Sequence, residues 1–561
     1  MGRVPCDLQF KGVRYLDVFS CEWREGTVSV HDGVIVSLDD GLKARRVVEG
    51  KSRALAPGFI DAHVHIESSL MVPRRFEQSV LPRGTTTVIC DPHELANVAG
   101  IDGIRYFLEQ AQSSAMNLQV MLSSCVPATT METNGGGTIE SEMLSRLRDY
   151  PQALGLAEMM NVPGVLFGDT QILNKIAEFS DGIIDGHCPL LSGASLSAYA
   201  SAGITSCHES SQLEEAREKL IKGISVWIRE GSVAKDLKTL APLLTLATST
   251  SIGFCTDDRN PLDIAQEGHI DYLVREAIRL GRSHGVSTEV FYRASSWSVA
   301  RHYGLNTGAS RVGAVAPGYV ADLILLDDIE TCAVSQVFRR GLDHQEILDH
   351  VALEKPSEGG VQSSQFKNSV RAHVPDAADL QGPSGRVHVI EVEAGKIITG
   401  RRVCAHDARG VAHLSVLERY GRGSKPANGY VFGFGESFRG AIASSVGHDS
   451  HNLIVVGDRT DDMRVALAAL IQCGGGFVVV QNGAVLAQLA LPIGGLMSEE
   501  NPEVIAARLT ELRKASHTIG CELPEPFLQL AFLSLPVIPS LKLTDRGLVD
   551  VDQFQIISVS A

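Results

Sequence analysis

Two histidines separated by a single residue, His63 and His65, follow a short apolar run. On a β-strand, residues two apart point to the same face, so both imidazoles would face one point. Imidazole nitrogen is a ligand that Zn, Mn and Fe ions accept. A lone His-x-His pair is weak evidence, because it is as often structural. Its place at the end of a predicted strand favours a metal site, since parallel barrels carry their active residues at that end.

Four more imidazole or carboxylate side chains follow apolar runs later in the chain, each where a β→α loop would begin. They are Glu158 in LGLAEMMN, His187 in IIDGHCP, His208 in GITSCHES and Asp257 in GFCTDDRNP. A carboxylate that bridges two ions would hold them close enough to activate one shared water. Six such residues at strand ends favour a metal-dependent hydrolase over a set of unrelated buried polar groups.

The elements that must position these residues show a repeated alternation of apolar runs and amphipathic stretches. The apolar runs are TTTVIC (85–90), LQVML (118–122), GIIDG (182–186) and SIGFC (251–255). One of the amphipathic stretches is SQLEEAREKLIKGI (211–224), for which we predict a helix. Strand and helix in repetition predict βα units around a parallel sheet. Residues 57–306 span about the 250 residues that are typical of a closed (β/α)8 barrel.

The flanks of this segment predict further units. Residues 27–38 alternate polar and apolar positions around Asp32-Gly33, which predicts two short strands joined by a tight turn. Residues 320–326 predict a buried strand that rejoins this first unit. The polar stretch 356–386 is rich in Gly, Ser and Pro, as connectors are. Mixed strand and helix patterns follow it.

The predicted fold is therefore of the α/β class: a distorted (β/α)8 TIM-type barrel, a small β-sandwich built from both sides of the barrel segment, and a C-terminal α+β domain. The predicted boundaries are 1–56 and 307–345 for the sandwich, 57–306 for the barrel, 346–386 for a connector and 387–561 for the C-terminal domain. A chain of 561 residues suits several units, since single cores stop growing at about 250–300 residues.

Charge and cysteine usage exclude some classes of partner and compartment. The formal net charge of −16 gives no attraction to a phosphate backbone, so we expect no nucleic acid partner. The sequence contains no long uninterrupted apolar window, so we expect no membrane span. Eleven cysteines without a Cys-x-x-Cys pair predict neither a disulfide framework nor a thiolate zinc site. A reducing cytoplasm is the expected location.

Several motifs give the chain a resemblance to a known family. They are HVHIESSLMVP (63–73), GTTTVICDPHELANVAG (84–100), AEMMN (157–161), DGHCP (185–189), CHESS (207–211), CTDDRNP (255–261), SSVGHDSHN (444–452) and GGLMS (494–498). The order of the histidines and carboxylates resembles that of the amidohydrolase superfamily. Within it, the chain resembles the bacterial-type adenine deaminases over nearly its full length.

The resemblance implies a binuclear divalent metal site, with Mn or Fe(II) favoured and Zn as a further option. Its ligands would be His63, His65, Glu158, His187, His208 and Asp257. It implies that a water activated by the ions attacks C6 of adenine, which yields hypoxanthine and ammonia in purine salvage or catabolism. It also implies a homo-oligomer, either a dimer or a tetramer.

Deamination at C6 needs groups that move protons, because ring N1 must gain one and the amino group must leave as ammonia. Asp257 is the expected ligand and proton acceptor. Asp258 either shuttles protons or caps the following turn. Glu209 either protonates the purine ring or is only a charge at a helix N-terminus. His93, within the segment 91–94, either contacts substrate or a further metal ion, or belongs to a loop that caps its helix.

Three questions stay open at this point. A cyclic amide hydrolase of the dihydroorotase or hydantoinase kind would use the same activated water, but many of these carry a carboxylated lysine where this chain has Glu158, and 152–174 contains no lysine. A catalytically silent scaffold of the same fold need not keep all six ligands, and this chain keeps them. The segment HDSHN (448–452) either binds metal, reaches over the barrel mouth or is a hydrogen-bonded loop.

Overall fold

The N-terminal strands of the protein form a curled sheet. The computed structural model describes residues 4–353, 360–423 and 425–561. The first strands are β1 (Cys6–Asp17), β2 (Glu22–His31), β3 (Val34–Ser37), β4 (Ala44–Glu49) and β5 (Ala54–Pro57). Asp32 and Gly33 join β2 to β3 with φ of 50° and 72°, the positive values that a tight hairpin turn requires. The predicted turn is confirmed.

A closed ring of parallel strands forms the centre of the fold. Within residues 57–306, its eight strands are β6 (Phe59–Val64), β7 (Thr85–Cys90), β8 (Asn117–Leu122), β9 (Ala153–Met159), β10 (Ile183–Gly186), β11 (Ser206–Cys207), β12 (Ser225–Arg229) and β13 (Ile252–Cys255). Neighbours pair in parallel, apart from β10 and β11, which the Thr205 amide joins by a 3.0 Å hydrogen bond to the Ile184 carbonyl. The Asp257 amide closes the ring by donating to the His63 carbonyl at 3.0 Å. The predicted distorted barrel is confirmed.

Helices surround the ring and cover its apolar outer face. They are α1 (Pro73–Val80), α2 (His93–Ala99), α3 (Ile101–Gln112), α4 (Ser141–Ser145), α5 (Val162–Phe167), α6 (Thr170–Glu178), α7 (Gly193–Ser201), α8 (Leu213–Ile221), α9 (Leu237–Leu240), α10 (Pro261–Gln266), α11 (Ile270–Gly281), α12 (Thr288–Ala294) and α13 (Trp297–His302). α8 lies inside the stretch 211–224 for which a helix is predicted. α11 buries Ile270, Leu273, Val274 and Ala277, the spacing of one helix face.

The chain then returns to the first sheet through β14 (Leu323–Asp328), β15 (Ala333–Arg339) and β16 (Leu342–Asp343). β14 pairs antiparallel with β5, which gives the strand order β16-β15-β14-β5-β1-β2-β3, with β4 on β1. Phe10 of β1 and Phe338 of β15 pack edge to face with ring centroids 4.9 Å apart. Because two strands separate β1 from β15, this contact shows that the sheet folds over itself into the predicted sandwich.

The segment predicted as a connector, 346–386, begins inside α14 (His344–Leu353). Its residues 354–359 lie outside the described part of the chain. The composition of this segment predicts an exposed connector, but its described residues pack against the rest of the protein, since Phe366, Val370 and Leu380 are buried. Phe366 packs on Tyr106 of the barrel with ring centroids 5.4 Å apart.

The C-terminal domain is of the predicted α+β type. Its strands are β17 (Arg386–Glu391), β18 (Gly400–Ala405), β19 (Val411–Leu417), β20 (Ala427–Phe432), β21 (Ala441–Ser444), β22 (Leu453–Gly457), β23 (Gly476–Gln481), β24 (Ala484–Ala490), β25 (Leu541–Thr544), β26 (Gly547–Asp550) and β27 (Gln555–Ile557). Its helices are α15 (Thr460–Gln472), α16 (Pro502–Thr518) and α17 (Pro526–Ala531). The sheet order is β18-β17-β20-β19-β22-β21-β23-β24, and β25 to β27 form a separate antiparallel sheet.

This domain docks on the barrel near the carboxyl ends of the barrel strands. The Asp545 carboxylate accepts from the Thr133 amide at 2.9 Å, and the Asn452 side chain donates to the Thr133 carbonyl at 2.8 Å. The Thr544 hydroxyl donates to the Met131 carbonyl at 2.6 Å. The docked domain therefore covers the end of the barrel that carries the predicted site. No helix in the described ranges is both long and apolar enough to cross a membrane.

Candidate metal centre and active site

The barrel brings the six predicted ligands together at one end. His63 and Glu158 are the penultimate residues of β6 and β9, and the other four follow the ends of β6, β10, β11 and β13 by one or two positions. Those four are His65, His187, His208 and Asp257. Because all eight strands of the ring run parallel, their carboxyl ends share one rim, and side chains there converge. Five of the six are buried, and His187 is partly exposed.

One group of donor atoms is centred on His65. The His65 Nδ1 lies 2.9 Å from the Asp91 carbonyl oxygen, which can only accept, so we infer that Nδ1 carries a proton. Its Nε2 faces His63 Nε2 at 3.1 Å, Asp257 Oδ1 at 3.2 Å and Glu158 Oε1 at 3.4 Å. Two imidazole nitrogens and two carboxylate oxygens that crowd together in a buried site match the donors that a divalent cation requires.

A second group is centred on the other oxygen of Glu158. Glu158 Oε2 lies 2.6 Å from His187 Nδ1 and 3.2 Å from His208 Nε2. The His208 ring stacks on the His63 ring with centroids 4.0 Å apart. The two oxygens of this one carboxylate therefore face different sets of imidazoles. No lysine is among the described residues that line the cavity.

The charges of the cluster show why a cation and protons compete for it. Burial alone would lower the pKa of His208, but the Glu158 carboxylate outweighs it and raises that pKa to about 9. Burial favours neutral Glu158, yet His187 and His208 hold its pKa well below the ordinary value. The carboxylate is therefore ionised, and the imidazole holds a proton that a metal ion must displace.

Glu209 lies in the cavity and forms a salt bridge with Arg229, a residue that was not predicted from the sequence. Both of its carboxylate oxygens contact Arg229, one of them at 3.0 Å from Nη2. Burial raises the pKa of Glu209, but Arg229 outweighs burial and lowers it. An ionised carboxylate in a salt bridge is a poor proton donor, so the geometry disfavours the expectation that Glu209 protonates the ring. Arg229 also donates to Asp257 Oδ2 at 2.9 Å. Its place at the end of β12 was the signal that could have found it.

Asp258 faces the cavity and does not cap the next helix. It accepts a hydrogen bond from Ser68 Oγ at 2.5 Å. The cap of α10 is Asn260, whose side chain accepts from the amides of Leu262 and Asp263. Burial raises the pKa of Asp258. Asp258 thus lines the cavity, and its role as a proton carrier stays a prediction.

His93 also lies in the cavity, against the metal cluster. Its Nδ1 is 3.0 Å from Asp91 Oδ2 and 3.5 Å from Glu158 Oε1, and its Nε2 is 3.8 Å from Asp449 Oδ1. The His93 ring meets the His65 ring with centroids 4.5 Å apart. His93 thus connects the barrel cluster with the segment 448–452, which reaches over the barrel mouth.

The wall opposite the metal cluster comes from the C-terminal domain. Its apolar members are Ile397, Phe532, Leu535, Val537 and Ile538, and its polar members are His448 and Asp449. No local sequence pattern predicts the apolar members, because only the docking of the two domains makes them neighbours of the cavity. The barrel thus contributes most of the charged lining, and the C-terminal domain contributes most of the apolar lining.

Comparison with known proteins agrees with this architecture. Residues 54–352 match the amidohydrolase family, and residues 390–555 match the adenine deaminase C-terminal domain. The chain is 49% identical to the adenine deaminase of Methylobacterium nodulans, a match that covers 99% of this chain and 98% of that protein. It is 46% identical to adenine deaminase 1 of Rhizobium meliloti, with the same coverage.

The amidohydrolase match implies a divalent metal site, and the buried cluster of imidazoles and carboxylates is the candidate for it. The chain therefore belongs to the adenine deaminase family of the amidohydrolases.

Proposed function

We propose that the protein hydrolyses adenine to hypoxanthine and ammonia. The observation that carries the proposal is the pair of donor groups on the two oxygens of Glu158, enclosed in a cavity that the C-terminal domain completes. Similarity to adenine deaminases over the full length, including that domain, supports adenine as the substrate. Similarity of the barrel alone would also fit a cyclic amide hydrolase.

We propose that His63, His65, Glu158, His187, His208 and Asp257 hold two divalent ions, Mn or Fe(II) in preference to Zn. The mixture of imidazole and carboxylate donors suits all three metals. When bound, such ions supply Lewis acidity, which lowers the pKa of water towards about 7 and so provides a hydroxide nucleophile near neutral pH.

Asp257 is the proposed proton acceptor. Its Oδ1 faces Nε2 of His65 at 3.2 Å and Nε2 of His63 at 3.8 Å, beside the atoms that would hold the ions. Its Oδ2 accepts from Arg229, which holds the carboxylate in place. Burial raises the pKa of Asp257, but His65 and Arg229 outweigh burial and hold it well below the ordinary value. The carboxylate is thus ionised before the reaction.

Asp258 is the proposed second proton carrier. It lines the same cavity, and its Oδ1 is anchored by Ser68 while its Oδ2 stays 4.0 Å from the nearest imidazole nitrogen, His448 Nε2. An acid at this place can return a proton to the ring or to the leaving ammonia. His93, which touches Glu158, is proposed to orient that bridging carboxylate.

The apolar wall is proposed to bind the flat purine and to exclude bulk water. Aliphatic side chains from the C-terminal domain face the charged cluster across the cavity. Small-molecule sites commonly combine apolar walls with a few polar groups that fix the orientation of the ligand. Exclusion of water also strengthens the electrostatic interactions around the reacting atoms.

We propose a cytoplasmic enzyme of purine salvage or catabolism that forms a homo-oligomer and binds neither nucleic acid nor membrane. All eleven cysteines lie in the described part of the chain and are free thiols, which supports a reducing compartment. The net charge of −16 gives no attraction to a phosphate backbone.

A substrate panel tests this function. Metal-free protein is reloaded with Mn(II), Fe(II) or Zn(II) and incubated separately with adenine, adenosine, dihydroorotate and hydantoin. We expect equal amounts of hypoxanthine and ammonia from adenine and no turnover of the two cyclic amides. Turnover of dihydroorotate or hydantoin without turnover of adenine would overturn the proposal in favour of a cyclic amide hydrolase.

A further inference from the structure

We propose that His448, a residue of the C-terminal domain, contacts the purine and determines specificity by a hydrogen bond between its Nε2 and a ring nitrogen. The proposal rests on the proposed function, since it assigns a role in the same cavity. On this proposal, the cavity selects a planar heterocycle with a ring nitrogen that faces the C-terminal domain.

The first argument is the place of His448 in the cavity. It lines the same space as His65, Glu158 and Asp257, although almost four hundred residues separate it from the first of these in the chain. The segment that carries it is held by Arg419, a fully buried side chain that donates to the His451 carbonyl at 3.1 Å and to the Gly494 carbonyl at 2.6 Å. The docked domain therefore presents His448 from a fixed backbone.

The second argument is the orientation of the ring. His448 Nδ1 lies against Glu94 Oε1, the carboxylate whose other oxygen bonds His451 Nε2. Phe532 stacks on one face of the His448 ring, with centroids 4.7 Å apart and planes 15° from parallel. One nitrogen and one face are thus occupied, which fixes the direction of the remaining nitrogen. Burial lowers the pKa of His448, but Glu94 outweighs burial and raises that pKa to about 9, so the ring is an imidazolium and this nitrogen carries a proton that it can donate.

The third argument is that this remaining nitrogen has no partner. His448 Nε2 is buried and makes no hydrogen bond within the described residues. The nearest acidic oxygen, Asp258 Oδ2, is 4.0 Å away, which is too far for a hydrogen bond. Buried polar groups are nearly always hydrogen-bonded, so a nitrogen left open at the wall of a cavity indicates the place of a ligand atom.

The chemistry of adenine supplies that atom. The ring offers N1, N3 and N7 as acceptors, while the apolar neighbours of His448 in this wall, such as Phe532 and Leu535, offer none to an imidazole. A site built to hydrogen-bond a ligand atom rejects an analogue that lacks the atom, because the polar group of the protein is then left unpaired. Replacement of the correct ring nitrogen by carbon should therefore remove the contribution of His448.

The test combines variants with ring analogues. KM and kcat for adenine, and the inhibition constants of 1-deaza-, 3-deaza- and 7-deazaadenine, are measured for wild type, His448→Ala and His448→Gln, with the metal content of each. We expect His448→Ala to raise KM about tenfold and to weaken two of the three analogues similarly. The third analogue is the one that lacks the ring nitrogen bonded by His448. It should already bind about tenfold more weakly to the wild type, and His448→Ala should not weaken its binding further.

The matched control is His451→Gln. His451 contacts the same Glu94 carboxylate, but it does not line the cavity. If His448 acted only by supporting Glu94, both substitutions would have the same effect on all analogues. We expect that His451→Gln leaves the ratio between analogues as in the wild type. Equal weakening of all three analogues by His448→Ala would overturn the assignment.

A structural measurement keeps the proposal testable if the variants fold poorly. In a crystal structure of metal-loaded Asp257→Asn with adenine, which this variant should turn over only slowly, we expect His448 Nε2 within about 3.2 Å of a ring nitrogen. Bound adenine without this contact would overturn the assignment of His448 alone. A wild type that does not turn over adenine at all would overturn the proposed function as well, so the two failures are distinguishable.

Discussion

The two walls of the cavity differ in composition and in the way the chain holds them. The metal wall consists of imidazoles and carboxylates at the ends of paired parallel strands, where backbone hydrogen bonds fix each position. The opposite wall consists mainly of aliphatic side chains on loops of a docked domain. Those loops brace one another, since the Thr399 amide donates to the Pro539 carbonyl and the Ser540 amide to the Thr399 carbonyl, both at 3.0 Å.

The difference indicates a division of labour. We propose that the metal wall carries the groups that activate water and move protons, so substitutions in it should remove metal ions or lower kcat. We expect the docked wall to contact the substrate and no metal ion, so substitutions in it should raise KM and leave the metal content unaltered. Substitutions in each wall can break or sharpen this comparison.

The largest effect is expected for Glu158→Gln. The amide keeps the shape but lacks the charge that faces both donor groups, so we expect loss of tightly bound metal and of measurable turnover. Metal analysis after dialysis checks this result. Two tightly held ions per chain in the variant would contradict the bridging role.

Asp257→Asn should come next, with a fall in kcat of about 10²–10⁴-fold, the range expected for loss of a positioned base. The control is Asp236→Asn, because Asp236 lies 3.3 Å from Nε of the same Arg229 but outside the cavity. Circular dichroism and metal content accompany the kinetics. A near-normal kcat for Asp257→Asn would remove Asp257 from its role.

Metal affinity should fall as the pH falls, because protons compete with metal ions for the imidazoles of the metal wall. The pKa of His208 is raised to about 9 by Glu158, so the metal-free protein binds a proton there below that pH. A metal ion must displace this proton, and affinity should therefore fall as pH falls from 9 to 7, by about tenfold per unit for one proton. Competition with a chelator at several pH values measures it. An affinity that stays constant over this range would contradict the competition.

The smallest effect is expected in the docked wall, for Ile538→Ala. The loss of apolar contact with the substrate should raise KM up to about tenfold, with kcat and metal content nearly unchanged. Ile556→Ala is the control, since Ile556 belongs to the same domain but is exposed away from the cavity. A fall in kcat or a loss of metal in Ile538→Ala would contradict the proposed distinction between the two walls.

The same contrast explains what could be predicted from sequence. His63, His65 and the later carboxylates and histidines could be predicted, because parallel strands place their carboxyl ends on one rim and each residue follows a recognisable apolar run. Arg229 also ends such a strand but was missed, since it holds Asp257 and Glu209 in place and is not of a metal-ligand type. Phe532 and Ile538 could not be predicted, because their neighbours are set only by the docking of two domains.

Glu209 shows a further limit. Its position next to His208 was predicted to lie in the site, and it does. Its expected role depended on its charge state, which Arg229 determines across strands that are separate in the sequence. Local sequence identifies residues that can carry protons, whereas their partners in the fold decide whether they do.

We propose that deamination of adenine requires two divalent ions, which Glu158 and the imidazoles around it would hold. Titration of metal-free protein with Mn(II), with hypoxanthine and ammonia measured at each addition, tests it most directly. We expect equal yields of both products and a maximal rate at two ions per chain. A maximal rate at one ion per chain, or no hypoxanthine at any metal content, would contradict the account.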